Sequence, residues 1–264
     1  MDVLLTNDDG IESTGLRVLA DALADLGEVT VVAPAEDQSA VGRTLSKQVT
    51  VTEHDLGYAV EGTPADCVVC GLGTLCPDVD LVVSGCNQGA NLGEYVLGRS
   101  GTISAAVEAT FFETPAIAVS LYIPGRDLDF HEYAARESEY AEAVRATTHL
   151  VDGALDSGVF EEADYLNVNA PIPERCNESA PSMAVTHPSD VYEMGAEHED
   201  DAVVFRDRIW GLMADGDIPD PGGSDRRAVV EGRVSVSPLT APHTTHRHDA
   251  LDSLAETYGD GDPV

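Results

Sequence analysis

At 264 residues and 43% hydrophobic content the chain can bury a full core, and its composition is that of a soluble globular protein with one large domain or two small ones. Lys and Arg number 14 against 48 Asp and Glu, for a net charge of −34, and Lys47 is the only lysine. Acids spread along the whole chain in this way predict a halophilic protein, because concentrated salt shortens the screening length to about 3 Å at 1 M and relieves the self-repulsion. The same charge argues against a nucleic-acid-binding surface, which needs a basic patch.

No run of about 18 apolar residues occurs, so no membrane span is expected. The start, Met1-Asp2-Val3-Leu4, carries an acid where a signal peptide has its basic region, and the expected compartment is the cytoplasm. Five cysteines (Cys67, Cys70, Cys76, Cys86 and Cys176) do not form a disulfide framework in such a chain. Cys67 and Cys70 make a CxxC, but inside an apolar helical run without a second pair, and they read as buried helix residues.

In chain order, Val3-Leu4-Leu5-Thr6 predicts a short buried strand, closed by the turn cluster Asn7-Asp8-Asp9-Gly10. Leu16, Leu19, Ala20, Leu23 and Leu26 recur at helical spacing, with Gly27 as a stop. Residues 28–33 predict a second buried strand ended by Pro34, and 47–60 a hairpin. Thr63, Pro64 and Asp66 predict a helix start with a capping box. Residues 80–84 form the next apolar strand, followed by a loop rich in Gly and Asn, a helix over 100–112 and a strand over 116–120. Beyond these, 131–152 reads as a helix, 165–169 as a late strand, 203–205 and 229–236 as strands around a Gly/Asp/Pro loop, and 249–258 as a final helix.

Continuous apolar strands separated by helices imply a parallel sheet covered on both faces. The expected fold is α/β: a Rossmann-like, doubly wound, mainly parallel sheet as a single domain over 1–264, with a core over about 1–190 and a C-terminal β-rich extension over about 191–264. Ligands in such folds bind beyond the carboxyl ends of the strands, so the loops at 7–10, 34–46 and 84–99 should gather at one edge.

That edge carries the chemistry. Adjacent Asp8 and Asp9 repel unless a cation neutralises them, the usual reason for such pairs to bind Mg²⁺ or Mn²⁺; the same tetrapeptide also reads as a plain turn in an acid-rich protein. The 34–43 loop offers Gln38, Ser39 and Arg43, and the 84–93 loop offers Asn87 and Asn91 between glycines. Ser100-Gly101-Thr102 opens a helix, whose free N–H groups suit a phosphate; Ser100 as an ordinary N-cap is the alternative. Hard oxygen ligands beside an anion site describe metal-assisted phosphoester chemistry.

The chain resembles the SurE family of survival-protein nucleotidases in Leu5-Thr6-Asn7-Asp8-Asp9-Gly10, in Ala33-Pro34 with Gln38-Ser39, and in Gly62-Thr63-Pro64-Ala65-Asp66-Cys67. The likeness continues through Ser84-Gly85-Cys86-Asn87-Gln88-Gly89-Ala90-Asn91-Leu92-Gly93 and Ser100-Gly101-Thr102 to Pro115-Ala116-Ile117-Ala118-Val119-Ser120. Weaker matches follow at Leu166-Asn167-Val168-Asn169-Ala170-Pro171, Gly216-Asp217-Ile218-Pro219 and Val234-Ser235-Val236-Ser237-Pro238-Leu239. The resemblance implies a nucleotidase dependent on one divalent cation, Mg²⁺ or Mn²⁺, that hydrolyses nucleoside monophosphates, with 3′-nucleotides or polyphosphate as further substrates. It implies Asp8, Asp9, Ser39 and Asn87 as metal ligands and Asn91, Ser100, Gly101 and Thr102 around the phosphate. Asp8 and Asp9 are then the candidate catalytic groups, Asp8 either by orienting or deprotonating a water or by direct attack of its carboxylate. It also implies a homodimer or homotetramer joined through the C-terminal extension. Cys86 and Arg99 depart from the family pattern, and Arg99 bears on substrate preference.

Two non-catalytic readings compete: a nucleotide-binding module and a receiver-like signalling domain. A receiver would need an acceptor Asp after its third strand and a Lys after its fifth, where Ser84 and Ser120 stand. The Asp-x-Asp of a haloacid-dehalogenase-type phosphatase and the Gly-x-Ser-x-Gly of a nucleophile elbow are both missing. His243, His246 and His248 with Asp249 read as an exposed segment before the final helix, and Trp210 as a packing or interface residue.

Overall fold

A computed structural model describes residues 1–125, 133–172, 181–241, 243 and 249–256. In chain order the elements are β1 (Asp2–Thr6), α1 (Thr14–Leu23), β2 (Glu28–Pro34), β3 (Val51–His54), β4 (Gly57–Val60), α2 (Pro64–Cys70), β5 (Leu81–Gln88), α3 (Glu94–Leu97), α4 (Gly101–Thr110), β6 (Ala116–Tyr122) and α5 (Ala141–Gly153). They continue with β7 (Tyr165–Pro171), β8 (Met183–Val185), β9 (Met194–Glu199), β10 (Ala202–Asp207), α6 (Ile209–Asp215), α7 (Asp225–Val230), β11 (Val234–Leu239) and α8 (Asp249–Glu256).

Nine strands form one sheet in the order β3-β4-β2-β1-β5-β6-β7-β11-β8. The run from β4 through β7 is parallel, whereas β3 and β11 are antiparallel to their neighbours β4 and β7. β6 and β7 are buried at every position, as a sheet covered on both faces requires. On one face Leu16, Leu19 and Leu23 of α1 pack with Ala143 and Val151 of α5. On the other, Cys67 and Val68 of α2 meet Ile103, Ala105, Ala106 and Ala109 of α4, whose small residues let the two helices approach closely.

Because β1 pairs with β2 on one side and β5 on the other, the direction of winding reverses between β1 and β5. The crevice at their carboxyl ends is therefore the topological switch point of the sheet.

Local signals read well in this half. Thr63 accepts from the Asp66 N–H at 3.2 Å while Asp66 accepts from the Thr63 N–H at 2.9 Å, the reciprocal capping box expected at the start of α2. Cys67, Cys70, Cys76 and Cys86 are free, and Cys67 lies fully buried in α2; Cys176 lies outside the described residues.

The second half differs from expectation in three places. The helix expected over 131–152 starts later, with a single 3-10 turn at Glu137–Tyr140 followed by α5, because Glu139 accepts from the Arg136 N–H at 2.9 Å and caps the chain there. Val229 and Val230 are helical in α7, where Ser224 caps the Arg227 N–H at 3.3 Å; the strand resumes only at Val234, beyond Gly232 with φ +76°. The boundary drawn at about residue 190 does not mark a structural division either. β11, from within the expected extension, lies in the main sheet against β7, and only β9 and β10 form a separate two-stranded hairpin. Of the final helix expected over 249–258, α8 accounts for Asp249–Glu256, and the remainder is outside the described residues, as are His246 and His248.

Candidate active site

The Asn7-Asp8-Asp9-Gly10 turn leaves the end of β1 in the middle of the sheet edge. Asn7 shapes it: its amide N–H donates to the Gly10 carbonyl at 2.9 Å and to the Ser13 hydroxyl at 2.7 Å. Gly10, at φ +93°, takes a backbone conformation that side chains disfavour. Asp8 is buried and Asp9 half-buried.

Each of the predicted loops is tied to these two acids. The Gln38 N–H donates to the main-chain carbonyl of Asp8 at 2.7 Å, bringing in the loop after β2. The Gln88 N–H donates to Asp9 Oδ2 at 2.8 Å, bringing in the end of β5. Thr102, in the first turn of α4, donates its hydroxyl to Asp8 Oδ1 at 2.6 Å. Gly101 packs so closely on Asp8 that an added Cβ would stand 2.7 Å from the Asp8 Cβ and 2.9 Å from its Oδ2.

The remaining expected residues take distinct positions. Asn87 lies near the end of β5, past a register shift between Ser84 and Asn87 that re-aims the strand, and its amide N–H donates to the Gly89 carbonyl at 2.5 Å. Ser39 is exposed, and its hydroxyl donates to Asp37 Oδ1 at 2.6 Å. Ser100 caps α4 by accepting from the Ile103 N–H at 3.1 Å, which leaves the main-chain N–H groups of Gly101 and Thr102 in the first turn. Asn91 is buried in a polar network. Its main-chain N–H donates to Asn169 Oδ1 at 2.8 Å, its carbonyl accepts from Asn167 at 2.9 Å and Asn169 at 3.0 Å, and its amide donates to Ser120 at 2.9 Å and Thr102 at 3.3 Å.

Asp37, Ser120, Asn167 and Asn169 were not singled out from the sequence. Asn167 and Asn169 did carry a signal: two amides two residues apart place both side chains on one face of an otherwise apolar strand, and such buried amides need partners. Asp37 had no such mark among so many acids.

The electrostatics are those of two acids held close together, largely out of water. Burial pushes the Asp8 carboxyl above the ordinary carboxylate range, hydrogen bonds from Thr102 pull it back, and the Asp37 charge adds to the rise. Asp9 is raised too, by burial first and by the charge of Asp8 second, with the Gln88 N–H opposing and Asp37 contributing. No basic side chain among the described residues figures in the groups acting on either acid. Among the described residues no cluster of three or more His, Cys, Asp or Glu forms a ready-made cage, so a cation here would rest on the two aspartates with neutral oxygens beside them. Carboxylate, hydroxyl and amide oxygens are the donors that Mg²⁺ and Mn²⁺ prefer, and the residues present fit such a cation.

Comparison with known proteins agrees with this geometry. The family model described as survival protein SurE matches residues 3–193. A 5′-nucleotidase SurE from Haloarcula marismortui is 66% identical over 257 residues, covering 97% of this chain and 94% of the relative. One from Haloquadratum walsbyi is 61% identical over 262 residues, covering 98% of each. Both relatives come from halophilic archaea, in keeping with the acidic surface. Among solved structures, the SurE protein from Aquifex aeolicus superposes with a TM-score of 0.77 at 32% identity, covering 99% of this chain and 100% of that one.

Proposed function

The chain belongs to the survival protein SurE family, and on that footing we propose that it is a 5′-nucleotidase releasing phosphate from nucleoside monophosphates with one divalent cation, Mg²⁺ or Mn²⁺. The relatives carry the name of an enzyme across nearly their whole length, so the nucleotide-binding module and the receiver-like domain are set aside. The observation that carries the chemistry is the hydrogen bond from Thr102 to Asp8, which puts an anion-binding helix start against a buried acid.

Asp8, Asp9, Ser39 and Asn87 would hold the cation. When bound, it supplies Lewis acidity to a phosphoryl oxygen and favours the ionised form of both aspartates. Asp8 orients the attacking water or takes its proton, at the carboxylate that Thr102 holds in place. The Gly101 N–H and the α4 dipole receive the charge that develops on the phosphoryl oxygens, while the Thr102 N–H and hydroxyl hold Asp8. Ser100 stiffens that turn as its cap, and Asn91 braces Thr102 from behind, so its role in phosphate binding runs through Thr102.

The C-terminal hairpin exposes Phe205 at 74% and Val203 at 49%, apolar surface suited to joining subunits in a homodimer or homotetramer. No described helix is long and apolar enough to cross a membrane. The compartment we propose is the cytoplasm, where the nucleotide substrates are made.

The test is phosphate release from a panel of 5′- and 3′-monophosphates and polyphosphate in concentrated KCl, with Mg²⁺, Mn²⁺ or Co²⁺ added. Turnover should be fastest on a 5′-monophosphate and vanish with chelator. Undiminished turnover in excess chelator would overturn the metal assignment, and no release from any monophosphate would overturn the substrate. Light scattering should give two or four subunits; a monomer would overturn the assembly.

A further inference from the structure

The loop that leads from Asn87 to the start of α4 is gripped a second time, from the far end of the chain. The Gly93 N–H donates to Asp225 Oδ2 at 2.7 Å, a contact spanning 132 residues of sequence. The other oxygen of Asp225 accepts from the Ser189 N–H at 3.0 Å and from the Arg226 N–H at 2.7 Å. The Ser189 carbonyl in turn accepts from the Glu94 N–H at 2.8 Å. Arg226 is wholly buried, with Nη1 on the Val191 carbonyl at 2.9 Å and on Asp220 Oδ1 at 3.2 Å. Its guanidinium stands 5.3 Å over the Tyr95 ring and closes the other side of Gly93. A Cβ on Gly93 would meet Arg226 Nη2 at 2.2 Å, and the residue sits at φ +85°, so only glycine fits.

Asp225 opens α7, where a plain N-terminal acid would turn to its own helix or to solvent. Instead it is fully buried and accepts three main-chain N–H bonds, two of them from other segments. A carboxylate taken out of water at such cost needs a geometric return. The same loop is held on its other flank by Asn167 and Asn169 through Asn91. Between the two grips the main chain from Asn87 to Glu94 has little freedom left.

We propose that Asp225 is a positioning residue of the active site: by fixing Gly93 it sets where Asn87, Asn91 and the start of α4 stand against Asp8 and Asp9. The C-terminal region of the chain, which the family match at residues 3–193 leaves out, then frames the site as well as the sheet. The inference rests on the metal and phosphate roles assigned above.

Asp225→Asn keeps the shape but turns one acceptor into a donor, which must face the N–H of Gly93 or of Ser189. Replacing a group that hydrogen-bonds a metal ligand directly typically costs about 10–100-fold in metal affinity or activity, and Asp225, acting one step further out through Gly93, belongs at the lower end of that range. The expected result in concentrated KCl is a loss of about tenfold or more in Mn²⁺ affinity by calorimetry, a fall in kcat on AMP larger than the change in KM, and faster hydrogen exchange at residues 88–94. Val151→Ala, a core truncation on α5, serves as the stability control and should leave all three unchanged per folded molecule. If Asp225→Asn does not fold, Ser224→Ala loosens the same helix start more gently and should move the readouts in the same direction. Wild-type Mn²⁺ affinity, kcat and loop exchange in a variant as destabilised as Val151→Ala would overturn the proposal. Wild-type protein that binds no Mn²⁺ would overturn the metal reading instead, and kcat, KM and loop exchange would still decide the role of Asp225.

Discussion

Thr102 donates its hydroxyl to Asp8 Oδ1 at 2.6 Å, joining the first turn of α4 to the end of β1 across 94 residues of sequence. The bond works in two directions. It holds the first turn of α4 against the acid, and it offsets some of the burial that raises the Asp8 carboxyl.

Thr102→Val therefore has a specific expected signature. Losing a hydrogen bond that favours the ionised form lets the Asp8 carboxyl rise further, so the acidic limb of the pH–rate profile should move to higher pH. Activity at neutral pH should fall by about 10–100-fold, a typical cost for a group that orients a ligand. Thr102→Ser keeps the hydroxyl and should restore both the limb and most of the rate. A pH–rate profile for the three proteins decides it; an unmoved limb in Thr102→Val would detach the bond from catalysis.

Asp8→Asn should abolish turnover without unfolding the chain. The amide can neither take a proton nor give a cation a full charge, so a loss of about 10³-fold or more in kcat is expected. Removing a buried like charge beside Asp9 should at the same time leave the metal-free protein as stable as wild type or more so. Phosphate release and thermal melts in chelator read the two effects separately. A near-normal rate would remove Asp8 from the mechanism.

How much of this was legible in the sequence follows from the range of each signal. β1, β2, β5 and β6 were readable because an apolar run in a sheet covered on both faces is a purely local pattern, and the Thr63–Asp66 box is equally local. Val229 and Val230 misled because two β-branched residues favour a strand, while the Ser224 cap and the burial of Ala228 and Val229 on one helical face prevailed. Asn167 and Asn169 could be seen as a motif, yet their role exists only once β7 lies beside β6 and meets the main chain of Asn91. Asp225 and Asp37 were hidden by composition: among 48 acids, nothing in the sequence marks Asp225 as buried or the exposed Asp37 as the partner of Ser39.

The raised carboxyls of Asp8 and Asp9 set a pH dependence of stability whose sign can be worked out. Their folded values, about 6 and about 7, lie above the ordinary 3.8, so between these values the folded state binds more protons than the unfolded. Without metal, the stability they contribute is present below about pH 4 and is lost as the pH rises to about 7. Asp9→Asn removes much of that loss. In chelator and concentrated KCl it should melt close to wild type at pH 4 and above it at pH 7, by on the order of 2–4 °C for each kcal/mol relieved. At the proposed site a cation would need both acids ionised, so stabilisation of the wild type by Mn²⁺ should widen over the same window and be weaker in the variant. Parallel melting curves for wild type and Asp9→Asn across that range would refute the linkage.

The net charge of −34 makes a last prediction about salt, and two mechanisms give different shapes. If salt acts by screening the acids, the melting temperature should climb steeply between about 0.1 and 1 M KCl, where the screening length falls from about 10 to about 3 Å, and then flatten. If it acts by strengthening apolar burial, the rise should continue through 3–4 M and be larger with sulfate than with chloride. Exposed acids greatly outnumber their cationic partners here, and pairs such as Arg206 with Glu197 and Glu199 lie at the surface, where screening is strong. The expectation is therefore the early climb and the plateau, read by far-UV melts in a KCl series with a matched sulfate series. A steady rise to saturation with a strong sulfate effect would move the cause of salt dependence from the acidic surface to the core.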